Sequence, residues 1–287
     1  MSVTLDLTRA RIHALRDSLE EEGFDLRPLD HGHFQARGEG VVVNAYRSGK
    51  VVVQGKGEAL FLERRGLAPA PARGLAGLTV GSDESGKGDY FGPLVVAAVA
   101  VTPGRENELA RLGVRDCKQM GDSAVLKAAV AVRALFPHAI RALSPEEYNE
   151  RHEREGNVAL FLSTMHAEAI AEAARAAKGC DRVVIDQFTF SSRLEAALRA
   201  VGVVAPVEIR PRAEDNPAVA AASVLARAEF LVGLRELGVE HGLELPKGAG
   251  GIVERAARRI FKEGGLPALA ALAKVHFKTT QKVTGLF

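Results

Sequence analysis

The first 65 residues carry two hydrophobic patterns in succession. Apolar residues first recur at helical spacing, which predicts a helix over residues 5–23. The stripe consists of Leu7, Ile12, Leu15 and Leu19. Short runs of alternating polar and apolar residues follow, with glycine in the turns between them, so they predict an antiparallel meander. These runs cover residues 32–37, 41–46 and 50–54. A second helix is predicted over residues 57–65.

A segment rich in proline, alanine and glycine separates this region from the rest of the chain. Residues 66–74 read GLAPAPARG, a composition typical of a stiff, exposed linker. We therefore predict a small α+β domain at 1–65, a linker at 66–77 and a larger domain at 78–287.

In the larger domain, apolar runs of strand length alternate with longer amphipathic segments. Strands are predicted over residues 78–83, 93–101, 138–143, 182–187 and 205–210. Helices are predicted over residues 122–134, 156–177, 191–200 and 217–236, and two basic helices over residues 250–286. This alternation predicts an α/β domain around a mixed central sheet.

The composition is that of an ordinary globular protein. Of the 287 residues, 47% are apolar and 26% charged, and a net charge of +2 is too small to indicate a nucleic-acid partner by itself. Residues 247–282 hold a local basic excess, which fits either a phosphate-binding surface or a solvated helix face. Cys117 and Cys180 are too few for a disulfide framework or a zinc site, which fits a reducing cytoplasm. We expect no membrane-spanning segment, because no apolar run approaches about 20 residues.

Two adjacent carboxylates stand at the end of an apolar run. Residues 80–89 read VGSDESGKGD, so Asp83 and Glu84 precede a Gly-Lys-Gly loop. A strand end can hold carboxylate oxygens rigidly around a hard divalent cation, and the lysine suits a phosphate. The alternative is a solvated turn, in which acidic residues and glycines are common. Further carboxylates stand at two more element boundaries and favour a convergent metal site: Asp186, and the adjacent pair Glu214-Asp215.

Four motifs, taken in order, resemble the ribonuclease HIII family, a branch of the type 2 ribonucleases H. They are DESGKGD at 83–89, LGVRDCK at 112–118, IDQF at 185–188, and Ala213-Glu214 ahead of AAAS at 220–223. The resemblance runs from about residue 78 to the C-terminus, where LPKG at 245–248 and AKVHF at 273–277 are also similar. The related HII branch usually carries arginine in place of Lys87.

The resemblance implies a ribonuclease H-like mixed sheet with flanking and C-terminal helices. It further implies that two divalent ions, Mg²⁺ or Mn²⁺, are bound by the catalytic carboxylates Asp83, Glu84, Asp186 and Glu214. Asp215 is the alternative to Glu214, because the two are adjacent and the loop length varies in this family. Four close carboxylates should repel one another without metal, so at least one pKa should rise and metal binding should release protons.

Substrate contacts are implied for a further set of residues. The set consists of Gly86, Lys87, Gly88, Asp116, Lys118, Ser223 and Arg227. Cys117 replaces the serine usual in the family's Asp-Ser-Lys triplet, which weakens a contact only if that hydroxyl touches the nucleic acid. Ser223 and Arg227 fit an ordinary helix cap and a surface arginine equally well. Four histidines share no spacing or motif and are predicted to be core or surface residues: His152, His166, His241 and His276. For His276, which lies within the C-terminal motif, a substrate contact is the alternative.

The implied activity is endonucleolytic cleavage of the RNA strand of an RNA/DNA hybrid, leaving 5′-phosphate and 3′-hydroxyl ends. The alternatives are incision beside a single ribonucleotide embedded in DNA, as in the HII branch, and hybrid binding without catalysis. Residues 1–65 resemble the TATA-binding-protein half-fold, which implies a substrate-binding domain; a structural or dimerising appendage is the alternative. We expect a monomer.

Overall fold

A computed structural model describes residues 2–65, 67, 75–114, 120–187 and 191–285. The chain divides into two compact units, Met1–Pro71 and Ala72–Phe287. Each unit has its own sheet and its own buried core. Two of the predicted substrate residues, Asp116 and Lys118, lie outside the described residues, as does most of the predicted linker.

The N-terminal unit is a five-stranded antiparallel sheet with a helix on one face. The strands are β1 (Ser2–Asp6), β2 (Asp25–Arg27), β3 (Gly32–Gly38), β4 (Val41–Tyr46) and β5 (Lys50–Gly55), in the order β1-β5-β4-β3-β2. The helices are α1 (Arg9–Glu21) and α2 (Glu58–Arg64). Alternate residues of β4 and β5 point into a core closed by the buried stripe of α1. Among the described residues of this unit, no helix packs on the opposite face of the sheet.

The start of this unit differs from the sequence prediction. Residues 2–6 form a strand paired with β5, whereas we predicted a helix from residue 5. The helix begins at Arg9, because the Thr8 side chain accepts a hydrogen bond from the N–H of Arg11 as its N-cap. The alternation of SVTLD over five residues is too short to separate a strand from a helix without knowing its pairing partner.

The C-terminal unit is built on a mixed five-stranded sheet. Its strands are β6 (Thr79–Ser85), β7 (Leu94–Val101), β8 (His138–Leu143), β9 (Arg182–Asp186) and β10 (Val207–Arg210), in the order β10-β9-β6-β7-β8. β6 pairs antiparallel with β7 and parallel with β9. Every residue of β7 is buried, which explains its unbroken apolar sequence.

Helices cover both faces of this sheet. They are α3 (Glu106–Arg111), α4 (Asp122–Leu135), α5 (Pro145–Glu155), α6 (Val158–Ala176), α7 (Ser191–Ala200), α8 (Pro217–Glu240), α9 (Gly251–Leu272) and α10 (Lys278–Thr284). One face packs against α8, with α4 and α9 behind it, and the other packs against α6 and α7. The prediction of a mixed central sheet with flanking helices is confirmed.

Two helices were missed in the sequence. α5 is charged along most of its length, so it carries little hydrophobic periodicity. A reciprocal capping box stabilises its start: Ser144 Oγ accepts from the N–H of Glu147, and the Glu147 carboxylate accepts from the N–H of Ser144. α3 is only six residues long.

α8 is 24 residues long and, by length and mean hydropathy, would be able to cross a membrane. Its most apolar window is 72% buried within the protein, however. It is therefore explained as the central core helix of the C-terminal unit, against which β6 and β7 pack. The sequence analysis had expected no apolar run of this length.

Candidate active site

Asp83 and Glu84 leave β6 on opposite faces of the sheet. Successive side chains of a strand alternate between faces, and here the two faces meet different helices. Asp83 is hydrogen-bonded to Ser223 of α8. Glu84 lies against His166 of α6, whose Nε2 is 3.3 Å from Glu84 Oε2. The two neighbouring carboxylates are therefore fixed by two separate helical layers.

Asp83 is almost completely buried, with 8% of its surface exposed. Its Oδ1 accepts a hydrogen bond from the N–H of Glu84 at 2.8 Å. Burial raises the pKa of Asp83 to about 7, and the negative charges of Glu84 and Asp186 add to the increase, against the hydrogen bonds from Ser223 and the Glu84 backbone. The carboxylates are thus close enough to influence one another's ionisation.

The pKa of Glu84 is shifted in the opposite direction, below its usual value. Burial acts to raise its pKa, but the hydrogen bond and charge of His166 and the charge of Lys87 outweigh burial and lower it. Lys87 Nζ lies 3.3 Å from Glu84 Oε1, so the two carboxylate oxygens face different partners. At neutral pH, Glu84 is ionised beside a carboxyl group that titrates near 7.

Asp186 stands at the end of β9, next to β6 in the sheet. Its Oδ1 accepts a hydrogen bond from the N–H of Ala213 at 3.1 Å. Ala213 opens a single 3-10 turn, Ala213–Asp215, so this bond ties the segment that carries Glu214 to the end of β9. The neighbouring Asp215 is 70% exposed and pairs with Arg210. The parallel strands and this bond bring the predicted catalytic segments together.

The four carboxylates offer only oxygen ligands, the donor type preferred by hard divalent cations. Burial is the main cause of the raised pKa of Asp83, and the negative charges of Glu84 and Asp186 add to it; a bound cation would offset these charges. Among the described residues, no group of three or more His, Cys, Asp or Glu side chains is close enough together to hold a metal ion. The oxygen donors nevertheless suit such an ion by their chemistry.

Packing against the protein's own backbone fixes the conformation of the Gly-Lys-Gly loop at its first glycine. Gly86 has φ +87°, and a Cβ there would lie 2.1 Å from the carbonyl oxygen of Pro93. At Gly88, an added Cβ would meet no atom of the described residues within 4 Å. Gly86 is therefore required by the fold, whereas the backbone at Gly88 is open to a second molecule.

The two C-terminal motifs, LPKG and AKVHF, donate hydrogen bonds to the end of this loop. The N–H of Gly248 donates to Asp89 Oδ1 at 2.7 Å. Lys274 is fully buried, and its Nζ donates to the carbonyl oxygens of Asp89 at 3.0 Å and Gly92 at 2.6 Å. Burial lowers the pKa of Lys274 to about 7, opposed by the charge of Asp89. Residues distant in sequence thus hold the end of the loop in place.

Ser223 and Arg227, predicted as substrate contacts, have protein partners. Ser223 is buried and hydrogen-bonded to Asp83. The Arg227 guanidinium lies 3.6 Å from Asp122 at the start of α4 and over the ring of Phe230. Their role toward a substrate stays a prediction, as does that of Asp116 and Lys118.

Sequence reasoning missed three polar residues that position this site. Ser82 and His166 lie behind Glu84, and Lys274 lies behind the loop. The one signal available for His166 was its place on the apolar face of α6, where a buried polar side chain needs a partner. No sequence spacing reveals which partner.

Comparisons with known proteins agree with this architecture. Residues 80–280 match the family model Ribonuclease HII, and residues 4–64 match a domain of unknown function, DUF3378. The protein named Ribonuclease HIII from Protochlamydia amoebophila is 34% identical over 291 aligned positions, covering 98% of this chain and 96% of the relative. The fold and these matches define a nuclease of the ribonuclease H class.

Two solved structures indicate the family within this class. The structure of Bst-RNase HIII in complex with Mn²⁺ superposes with a TM-score of 0.69 at 32% identity, covering 99% of this chain and 98% of the other. RNase H3 from Aquifex aeolicus gives a TM-score of 0.57 at 26% identity, covering 96% and 99%. The chain belongs to the ribonuclease HIII family.

Proposed function

We propose that this protein is an endonuclease that hydrolyses the RNA strand of RNA/DNA hybrids, leaving 5′-phosphate and 3′-hydroxyl ends. It uses two divalent ions, Mg²⁺ or Mn²⁺, held by Asp83, Glu84, Asp186 and Glu214. Membership of the ribonuclease HIII family supports this activity, and the Mn²⁺ complex of Bst-RNase HIII supports the choice of metal.

The observation that carries the proposal is the burial of Asp83 beside two other carboxylates. Burial raises the pKa of Asp83 to about 7, and the negative charges of Glu84 and Asp186 add to the increase. A protein gains no stability by burying acidic groups against one another. A cation that neutralises them accounts for the arrangement.

Glu214 is the fourth carboxylate in this proposal, and Asp215 is not. Glu214 follows Ala213, whose N–H is bonded to Asp186. Asp215 pairs with Arg210 and is 70% exposed, which suits a surface ion pair better than a metal ligand.

The carboxylates would hold the ions from three separate segments of the chain. Bound divalent ions would activate water for attack on the phosphodiester and offset the charge of the leaving 3′ oxygen. Asp83 and Glu84 supply oxygen ligands from a rigid strand end. Asp186 and Glu214 complete the set from β9 and the 3-10 turn. Lys87 is 42% exposed beside Glu84, where it can meet a phosphate oxygen.

Selection of RNA over DNA requires a reader of the 2′-hydroxyl group. The loop Gly86-Lys87-Gly88 supplies it, because the backbone at Gly88 is open and can approach a ribose closely. The predicted substrate contacts of Ser223 and Arg227 belong to the same proposal, as do those of Asp116 and Lys118, which lie outside the described residues.

The N-terminal unit binds the same hybrid through the sheet face that α1 leaves uncovered. This face carries hydrogen-bonding side chains: Gln35 Nε2 donates to Asn44 Oδ1 at 2.7 Å, and Arg37 Nε donates to Gln35 Oε1 at 2.9 Å. We place the protein in the cytoplasm as a monomer without membrane attachment, in keeping with a free Cys180 and a buried α8.

The experiment is a cleavage assay with a labelled RNA/DNA hybrid and with a DNA duplex that holds one ribonucleotide. Each is incubated with Mg²⁺, Mn²⁺ or EDTA. We expect metal-dependent cutting of the hybrid and little cutting at the lone ribonucleotide. Equal or better cutting at the lone ribonucleotide would assign the activity of the HII branch instead. Binding without cutting would leave a hybrid-binding protein.

Metal affinity is expected to fall as the pH is lowered through about 7. Below the pKa of Asp83, a proton must leave before a cation binds, whereas Glu84 is already ionised. The Mn²⁺ dissociation constant should therefore rise about tenfold per pH unit on the acidic side and level off on the alkaline side. Titration calorimetry in buffers of different ionisation enthalpy measures both the affinity and the proton released.

Asp83→Asn is the matched control for this titration. The amide retains an oxygen for the N–H of Glu84 but cannot titrate, so the variant should bind Mn²⁺ more weakly and without that proton release. An affinity that stays constant from acidic to alkaline pH would contradict the prediction.

A further inference from the structure

His166 is a fully buried polar residue behind the active site. It projects from α6 toward β6, and none of its surface is exposed. The ring lies between two side chains on the same face of β6. Nδ1 is 2.8 Å from Ser82 Oγ, and Nε2 is 3.3 Å from Glu84 Oε2. Since residues two apart on a strand share a face, one ring contacts both.

The hydrogen-bonding options of Ser82 restrict the protons on this ring. Ser82 Oγ donates to the carbonyl oxygen of Ala97 at 2.8 Å, and this bond uses the one proton of the hydroxyl. Ser82 Oγ therefore accepts at its 2.8 Å contact with Nδ1. On the other side of the ring, Nε2 lies 3.3 Å from Glu84 Oε2, and the ring is hydrogen-bonded to that carboxylate. The ring thus links Ser82 to Glu84 through one contact on each side.

The two carboxylate oxygens of Glu84 therefore have different surroundings. Oε2 faces the buried ring of His166, and Oε1 faces Lys87, whose side chain is 42% exposed. A carboxylate with one oxygen held from behind loses rotational freedom and presents the other oxygen outward. We propose that His166 is a positioning residue, held by Ser82, which fixes Oε2 of Glu84 so that Oε1 is presented to a divalent ion. This inference rests on the proposed function, in which Glu84 is a metal ligand.

Two amide substitutions separate the two contacts of the ring. In His166→Gln the amide nitrogen reaches the region of Nε2, and it can donate to Glu84. In His166→Asn the shorter amide reaches the region of Nδ1, and it can contact Ser82 but not Glu84. Both amides are uncharged at every pH used, so the comparison reports the position of the donor and not a change in charge.

The test is the Mn²⁺ dissociation constant of the full-length protein, measured by electron paramagnetic resonance without substrate. We expect His166→Gln to stay within about threefold of the wild-type protein and His166→Asn to bind about 10- to 100-fold more weakly. In the cleavage assay, raised Mn²⁺ should restore the kcat of His166→Asn, with the KM for the hybrid unchanged. Thermal unfolding of the metal-free variants shows whether both are folded.

The possible failures are distinguishable. A wild-type protein that binds no Mn²⁺ and cuts no hybrid would overturn the proposed function, and the inference with it. A wild-type protein that binds Mn²⁺, with both variants equal to it, would overturn the inference alone. Equal weakening in both variants, with or without a loss of thermal stability, would also overturn it, because the position of the donor would not matter.

Discussion

Asp186→Asn is expected to lower the rate of hybrid cleavage by about 10³-fold or more. Asn has nearly the shape of Asp, and its amide oxygen can still accept the hydrogen bond from the N–H of Ala213. The connection between β9 and the 3-10 turn should therefore survive, while the charge that holds the metal is lost. Single-turnover cleavage of a labelled hybrid measures the loss.

Asp215→Asn is the matched control. This substitution also replaces a carboxylate by an amide, but it does so on the 3-10 turn, at a side chain that is 70% exposed. We expect a cleavage rate within about twofold of the wild-type protein, because an exposed ion pair contributes little. Substantial cleavage by Asp186→Asn would place the catalytic centre elsewhere or reveal a contaminating nuclease. A large loss in Asp215→Asn would make Asp215, rather than Glu214, the fourth carboxylate.

Gly81→Ala is expected to destabilise the protein by about 3 kcal/mol or more. A Cβ at this position of β6 would lie 2.2 Å from the backbone carbon of Ala218 and 2.2 Å from the backbone nitrogen of Val219. The obstacle is the backbone of α8, which cannot move aside as a flexible side chain would. Chemical denaturation, followed by circular dichroism, gives the change in the free energy of unfolding.

Gly88→Ala provides the comparison for stability. It adds the same methyl group seven positions further along the chain, where no atom of the described residues lies within 4 Å. We expect a change of less than about 0.5 kcal/mol. Equal stability of the two variants would mean that β6 and α8 do not pack as closely as described.

Much of the architecture was predictable because it depends on local pattern. The unbroken apolar run of β7 and the segment before Asp83 both predicted the buried strands that the structure contains. β1 was missed because a five-residue strand is defined by its pairing with β5, and no short-range pattern records that partner. α5 was missed because charged residues dominate it, although the capping residues Ser144 and Glu147 did mark its start.

The residues of the candidate site were likewise predictable only in part. Asp83, Glu84 and Asp186 stand at strand ends, so motif and position singled them out together. His166 and Lys274 act from other elements, and their partners are fixed only when α6 and the C-terminal segment pack against the sheet. Sequence spacing contains no information on such contacts.

The divergence of Asp83 and Glu84 makes the site sensitive to the integrity of the whole sheet sandwich. Asp83 takes its position from Ser223 on α8, and Glu84 takes its position from His166 on α6. A local opening of either layer would displace one of the two carboxylates and leave its neighbour in place. Heating or mild denaturant should therefore release bound metal before the β6–β7 pairing is lost, so inactivation would precede global unfolding. The two helical layers would therefore position the two proposed metal ligands independently of each other.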